Sequence, residues 1–256
     1  MEPATLDDIA ESFVKLTLAL GQHDQDYVDA YFGPEEWKEQ VVDQELTLAQ
    51  ILEQARALSD QIAALSPPAD DAMLSQRQIR LARTIESLAA RASLVAGNQA
   101  SFDDESKALF DAVAPTYDAA HFQAILEQLD RALPGTGPLT DRYAAFKVDF
   151  AIPGERLDDV FKAAIEACRD RTKEFIELPA EESFVVEYVT DKSWSGYNWY
   201  QGDFHSLIQV NTDLPIFIDR ALDLACHEGY PGHHVYNLLL EKNLLRDRGW
   251  SEFYIY

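Results

Sequence analysis

Three of the chain's six histidines fall within eight residues, in the run His227-Glu228-Gly229-Tyr230-Pro231-Gly232-His233-His234. Neutral imidazoles are good zinc donors, and a glutamate directly after a zinc-binding histidine is the pairing used when a carboxylate serves as general base beside the metal. The usual zinc-peptidase motif sets its histidines at i and i+4, one helical turn apart. Here His227 precedes His233 by six positions and His234 by seven. On an unbroken helix rising about 1.5 Å per residue, that is roughly 9–10 Å along the axis, too far for two nitrogens each about 2 Å from one ion. Gly229, Pro231 and Gly232 supply the escape. Proline cannot donate the amide that helix continuation requires, and glycine accepts the backbone conformations of a bulge or tight loop. The insertion and the helix breakers thus explain each other. His227 and one of His233 or His234 are the candidate ligands of a Zn2+ ion, and Glu228 is the candidate base that takes a proton from water and delivers it to a leaving amine. His23, His121 and His205 are expected to be structural.

The motif needs elements to carry it. Apolar residues at helical spacing (Leu6, Ile9, Phe13, Leu16, Leu20, and again Leu48, Ile51, Leu52, Ala55, Leu58, Ile62, Leu65) predict two amphipathic helices, the second stopped by Pro67-Pro68. Residues 71–96, 103–113, 119–133 and 157–176 read the same way, punctuated by Pro-Gly-Thr-Gly-Pro at 134–138 and by Pro153-Gly154. After Leu178 the character changes: residues 183–190 and 204–211 are rich in β-branched and aromatic residues or alternate polar with apolar, as half-buried strands do. Between them, Trp194, Tyr197, Trp199 and Tyr200 either line a groove or cover the sheet. Pro215 is expected to open a further helix, with Asp213 near its start, that runs into the histidine motif. The predicted fold is mainly α, a helical array with a small antiparallel β-sheet beside the motif helix. It divides into an amino-terminal helical region, 1–152, and a region 153–256 that carries the motif.

Composition bounds the remaining classes. With 256 residues and 47% hydrophobic content the chain can bury a sizeable core. Its 45 acidic against 21 basic residues give a formal charge of −24, which repels nucleic-acid backbones and anionic membranes, so neither is an expected partner. Cys168 and Cys226 lie far apart in helix-like contexts and suggest no disulfide framework; with no signal-like or membrane-spanning run, a cytoplasmic location is expected.

The stretch Asn211-Thr-Asp-Leu-Pro215, followed by a short helix and His-Glu-Gly-Tyr-Pro-Gly-His-His, resembles the signature of the bacterial domain of unknown function 885 group, over roughly residues 183–245. The segment from Leu18 to Pro34 also resembles a part of uncharacterised bacterial relatives. The resemblance implies a helical zincin-type fold in which a strand beside the active-site helix pairs with an extended peptide; Phe204 to Asn211 is the candidate strand. It also implies a third zinc ligand, a glutamate on a downstream helix in a Glu-Gly context. No such pair follows His234, which suggests that the carboxyl-terminal part of the catalytic region is missing; Glu241 and Glu252 are weaker substitutes. The leading expectation is a zinc-dependent, metallopeptidase-like hydrolase of peptides or small amides. The alternatives are a non-catalytic helical binding module with a vestigial or regulatory metal site, or a closed structural metal knot with four protein ligands.

Overall fold

The computed structural model describes residues 4–66 and 71–256. They form two compact units, Met1–Ala114 with Lys242–Tyr256, and Pro115–Glu241. By this division the last fifteen residues group with the amino-terminal helices.

In that first unit, helix α1 (Leu6–Gly21) begins at a capping box: the Thr5 hydroxyl accepts the Asp8 amide at 3.2 Å while the Asp8 carboxylate accepts the Thr5 amide at 2.8 Å. Helix α2 (Glu35–Gln44) follows. Helix α3 (Leu48–Ala64) starts at a second capping box, from Thr47 and Gln50, and α4 (Ala72–Val95) at an Asp71 cap. The stripes read from the sequence form the core: Ile9 and Leu20 of α1, Ile51 and Leu58 of α3, and Leu81, Ile85 and Leu88 of α4. Helix α5 (Phe102–Phe110) closes the run and ends earlier than predicted, where Asp111 turns into the left-handed region at φ 53°. The carboxyl-terminal segment adds one short extended pairing, Phe32 N to Tyr254 O at 2.8 Å and Tyr256 N to Ala30 O at 3.0 Å. The expected stop at Pro67-Pro68 lies outside the described residues.

The second unit holds α6 (Ala119–Ala132), α7 (Leu139–Val148), α8 (Leu157–Lys173) and a three-stranded sheet of β1 (Ser183–Val189), β2 (Gly196–Gly202) and β3 (His205–Asn211). The sheet is mixed, not wholly antiparallel: the order is β1-β3-β2, with β1 parallel to β3 and β2 antiparallel to it. The cause lies in the chain after β1. Asn211, at the end of β3, donates its side-chain amide to the carbonyls of Lys192 and Trp194, both at 2.9 Å, and Asp213 accepts the Asp191 amide at 2.9 Å. These bonds carry the connection past the end of β3, so β2 lands on the far side. Along β3, Ser206, Ile208 and Val210 are buried in strict alternation, as the pattern required.

Pro215 does not open the next helix. Residues 216–218 run extended beside residues 150–152, with Ile152 N to Ile216 O at 2.9 Å and Ile218 N to Phe150 O at 3.1 Å, and α9 spans Ile218–Leu224. The motif then occupies a π-helical turn, Ala225–Gly229, and the start of α10 (His233–Leu240). The fold is mainly helical with one small sheet, and among the described residues no helix is long and apolar enough to cross a membrane.

Candidate functional site

The break in the helix is a widening followed by a tight bend. Tyr230 N bonds Ala225 O at 3.1 Å and Gly232 N bonds Cys226 O at 2.9 Å, longer-range bonds than the α-helical step, and the Tyr230–Pro231 peptide is cis. Gly232 is indispensable to this path. A Cβ on it would lie 1.8 Å from the His227 carbonyl oxygen and 2.4 Å from that of Cys226. The bend brings the His227 and His233 rings to 4.9 Å between centres, at 74° to each other. Both side chains are exposed. Two imidazoles bound about 2.0–2.1 Å from one tetrahedral ion have ring centres roughly 5 Å apart, so this pair fits two positions of a zinc site.

Glu228 sits beside the pair and is buried, at 5% exposure. Burial pushes its carboxyl above the ordinary carboxylate range, and the nearby imidazoles of His233 and His227 and the Arg220 guanidinium only partly offset that. The start of β2 is fitted to it: a Cβ on Gly196 would come within 3.3 Å of Glu228 Oε1. Two residues on, Asn198 donates its side-chain amide to the Glu228 carbonyl at 2.8 Å, while its own Oδ1 is buried with no hydrogen-bond partner.

His234 is the member of the motif that the structure does not bring to the pair. It is fully buried, with Nε2 at 3.1 Å from Glu182 and Nδ1 at 2.9 Å from Ser206 Oγ. An ionised carboxylate only accepts, so Nε2 carries the proton and Nδ1 accepts from the serine hydroxyl. Glu182 also accepts from the Tyr230 hydroxyl at 2.5 Å and from Arg169 Nε at 2.9 Å. Burial alone would raise the Glu182 carboxyl, but the bonds from His234, Tyr230 and Arg169 outweigh it and hold it at about 2. The Ser206–His234–Glu182 connectivity has the order of a hydrolase triad. With all three side chains buried it offers a substrate no access and serves to fasten α10 to β3 and to the residue ahead of β1. Of the two alternatives, His233 is the one whose ring lies beside His227, while both nitrogens of His234 are engaged elsewhere.

Neither weaker ligand candidate is available. Glu252, in the first unit, makes a two-pronged pair with Arg77 at 2.8 and 2.9 Å, and the Glu241 carboxylate accepts from the Tyr200 hydroxyl. Among the described residues no three His, Cys, Asp or Glu side chains converge to hold a metal ion. One further expectation needs correction, and one open choice is decided. The strand 204–211 is the centre of the sheet, paired on both sides, so it has no free edge for a peptide; β2 is the edge strand that touches the motif. Asn198 and Tyr200 face the motif, which puts the alternate residues Tyr197 and Trp199 on the opposite face. There Trp199 bonds Gln209 at 3.0 Å, and the Trp194, Tyr197 and Trp199 rings follow one another with centres 5.7 and 4.6 Å apart, each pair tilted by 40°. These aromatics cover the sheet and do not line the site.

The other histidines take local partners: His23 bonds the Leu46 carbonyl at 2.7 Å, His121 stacks on Tyr117, and His205 meets Ser183 Oγ at 3.0 Å. Sequence reading missed Glu182, Ser206 and Asn198, which sit in no motif. The one available signal was the alternation that places Ser206 on the buried face of β3. Comparison of the chain with protein-family models, with curated proteins and with solved structures found no match in any of the three.

Proposed function

We propose that this chain carries the core of a zinc-dependent, metallopeptidase-like hydrolase acting on peptides or small related amides, in a cytoplasmic setting. The observation that carries the reading is the approach of the His227 and His233 rings to 4.9 Å, beside a buried Glu228. His227 and His233 hold the ion through neutral imidazoles, and bound zinc supplies Lewis acidity toward the scissile carbonyl. Glu228 accepts a proton from the attacking water and returns it to the leaving nitrogen; its raised affinity for a proton suits both steps. The free edge of β2 offers backbone groups to an extended substrate. The resemblance of the motif to the domain of unknown function 885 group supports the same chemistry.

Metal analysis of the purified chain, with His227→Ala and His233→Ala beside it, tests the binding half. About one zinc per wild-type chain, lost in both variants, is expected; zinc retained in both would sink the assignment. Glu228→Gln tests the catalytic half: peptide hydrolysis falls by about 10²-fold or more while the metal stays bound. The two-histidine set among the described residues favours one second reading, a helical binding module with a regulatory metal site, for which the wild-type chain binds zinc and shows no turnover.

A further inference from the structure

Cys168 of α8 and Cys226 of the motif turn are 58 residues apart in sequence, yet their sulfur atoms stand 3.1 Å from each other, inside the ordinary contact distance of two thiols. Both are free. The surroundings make the approach a packed one. Cys168 is buried in a cluster with Ala225, Tyr230 and Val235, and Cys226 packs against the same cluster while remaining partly open to solvent. A disulfide requires about 2.05 Å between sulfurs, so closure asks for a movement of only about 1 Å.

We propose that Cys168 and Cys226 form an oxidisable dithiol, a modification site that locks the turn bearing His227 and Glu228 onto α8. The oxidant class is a peroxide. The partly exposed Cys226 thiol is the one it can reach; Cys226–SH is oxidised to the sulfenic acid as the peroxide O–O bond breaks and one water leaves. The Cys168 sulfur then attacks the Cys226 sulfur, the S–O bond breaks, and the hydroxyl departs with the Cys168 proton as a second water. Two thiols are thereby oxidised to one disulfide and one peroxide is reduced to two waters. Burial, with the neighbouring sulfur adding to it, holds the Cys168 thiol protonated up to about 12, so the second step is slow and is best followed over hours.

The consequence reaches the motif through one bond. The Cys226 carbonyl accepts the Gly232 amide at 2.9 Å, and that bond closes the bend presenting His227 to His233. Fastening Cys226 to α8 fixes the acceptor end of this bond. The effect does not depend on metal or turnover, so the proposal stands or falls separately from the hydrolase reading.

The test is treatment of the folded chain with hydrogen peroxide, then denaturation, alkylation with N-ethylmaleimide and non-reducing peptide mapping, alongside amide hydrogen exchange. The expected result is a monomer that takes up no maleimide and yields a single cross-linked peptide pair containing Cys168 and Cys226. Exchange across residues 225–232 should slow several-fold and recover with dithiothreitol, whereas Cys168→Ser shows neither cross-link nor slowing. Two alkylatable thiols after oxidation, over-oxidation of Cys226 without a cross-link, or disulfides only between chains would each overturn the proposal.

Discussion

His233 is exposed beside His227, while its neighbour His234 is fully buried with both ring nitrogens bonded, so substitutions at adjacent positions separate metal binding from stability. His233→Ala is expected to lose zinc and change unfolding free energy by no more than about 0.5 kcal/mol. His234→Ala removes a buried ring, leaves Ser206 without its imidazole partner and takes one of the donors from Glu182, which costs roughly 3–5 kcal/mol. Urea unfolding with metal analysis checks both, and zinc loss confined to His234→Ala would reverse the assignment. Glu182 adds a pH signature. Its carboxyl is held at about 2 against an ordinary 4.5, so its contribution is complete above about pH 4.5 and is lost as pH falls toward 2. By linkage this amounts to about 3 kcal/mol. Glu182→Gln should be less stable at neutral pH and should lose less stability than wild type between pH 4.5 and 2, which acid unfolding followed by circular dichroism measures. Parallel acid profiles would remove Glu182 as the responsible group.

At the scale of elements, the site is made by a bend and not by a helix, and Gly232 is its hinge point. Gly232→Ala puts a Cβ 1.8 Å from a backbone oxygen, a clash no side-chain rotation relieves. It should cost more than about 3 kcal/mol and abolish zinc binding even though no ligand is touched; a variant with wild-type melting temperature and metal content would mean the bend is not needed. The helix breakers made this bend legible in the sequence, but the choice between His233 and His234 was not, because it depends on the phase in which α10 restarts after Gly232. The helices show the same division. Those with a continuous apolar stripe, α1, α3 and α4, were readable from spacing alone. Helix α2 buries only Val41 and the apolar residues of α7 do not gather on one face, whereas α5 and α6 were read from their spacing although none of their residues is buried. The positions of β1 and β3 were readable from β-branched content and alternation, but β2 was not, because its aromatic stretch was read as lying between strands; strand order was not readable either, since the side chains of Asn211 and Asp213 that reach back to the β1–β2 connection act across the fold. The approach of Cys168 to Cys226 likewise follows only from the packing of α8 on the motif turn.

At the scale of the whole chain, the amino-terminal helices and the last residues share one unit, and a buried ion pair ties them across 175 positions of sequence. Arg77 is 5% exposed and Glu252 9%. In a chain with 45 acidic and 21 basic residues, this one guanidinium also reaches a third carboxylate oxygen, on Asp7 at 2.6 Å. A buried pair of this kind is weak evidence for net stability, because desolvating two charges offsets most of their attraction, yet removing one partner leaves the other charge buried and uncompensated. Asp7 is largely exposed and water can replace its partner; Glu252 has no such recourse. Arg77→Ala should therefore cost about 3–5 kcal/mol, Asp7→Ala under about 1 kcal/mol, and the double variant Arg77→Met with Glu252→Met should recover most of the loss. Urea unfolding of the three variants decides it. If the double variant were no more stable than Arg77→Ala, the cost would lie in lost packing of the arginine, whose guanidinium stacks 4.9 Å above Trp250, and not in a stranded carboxylate.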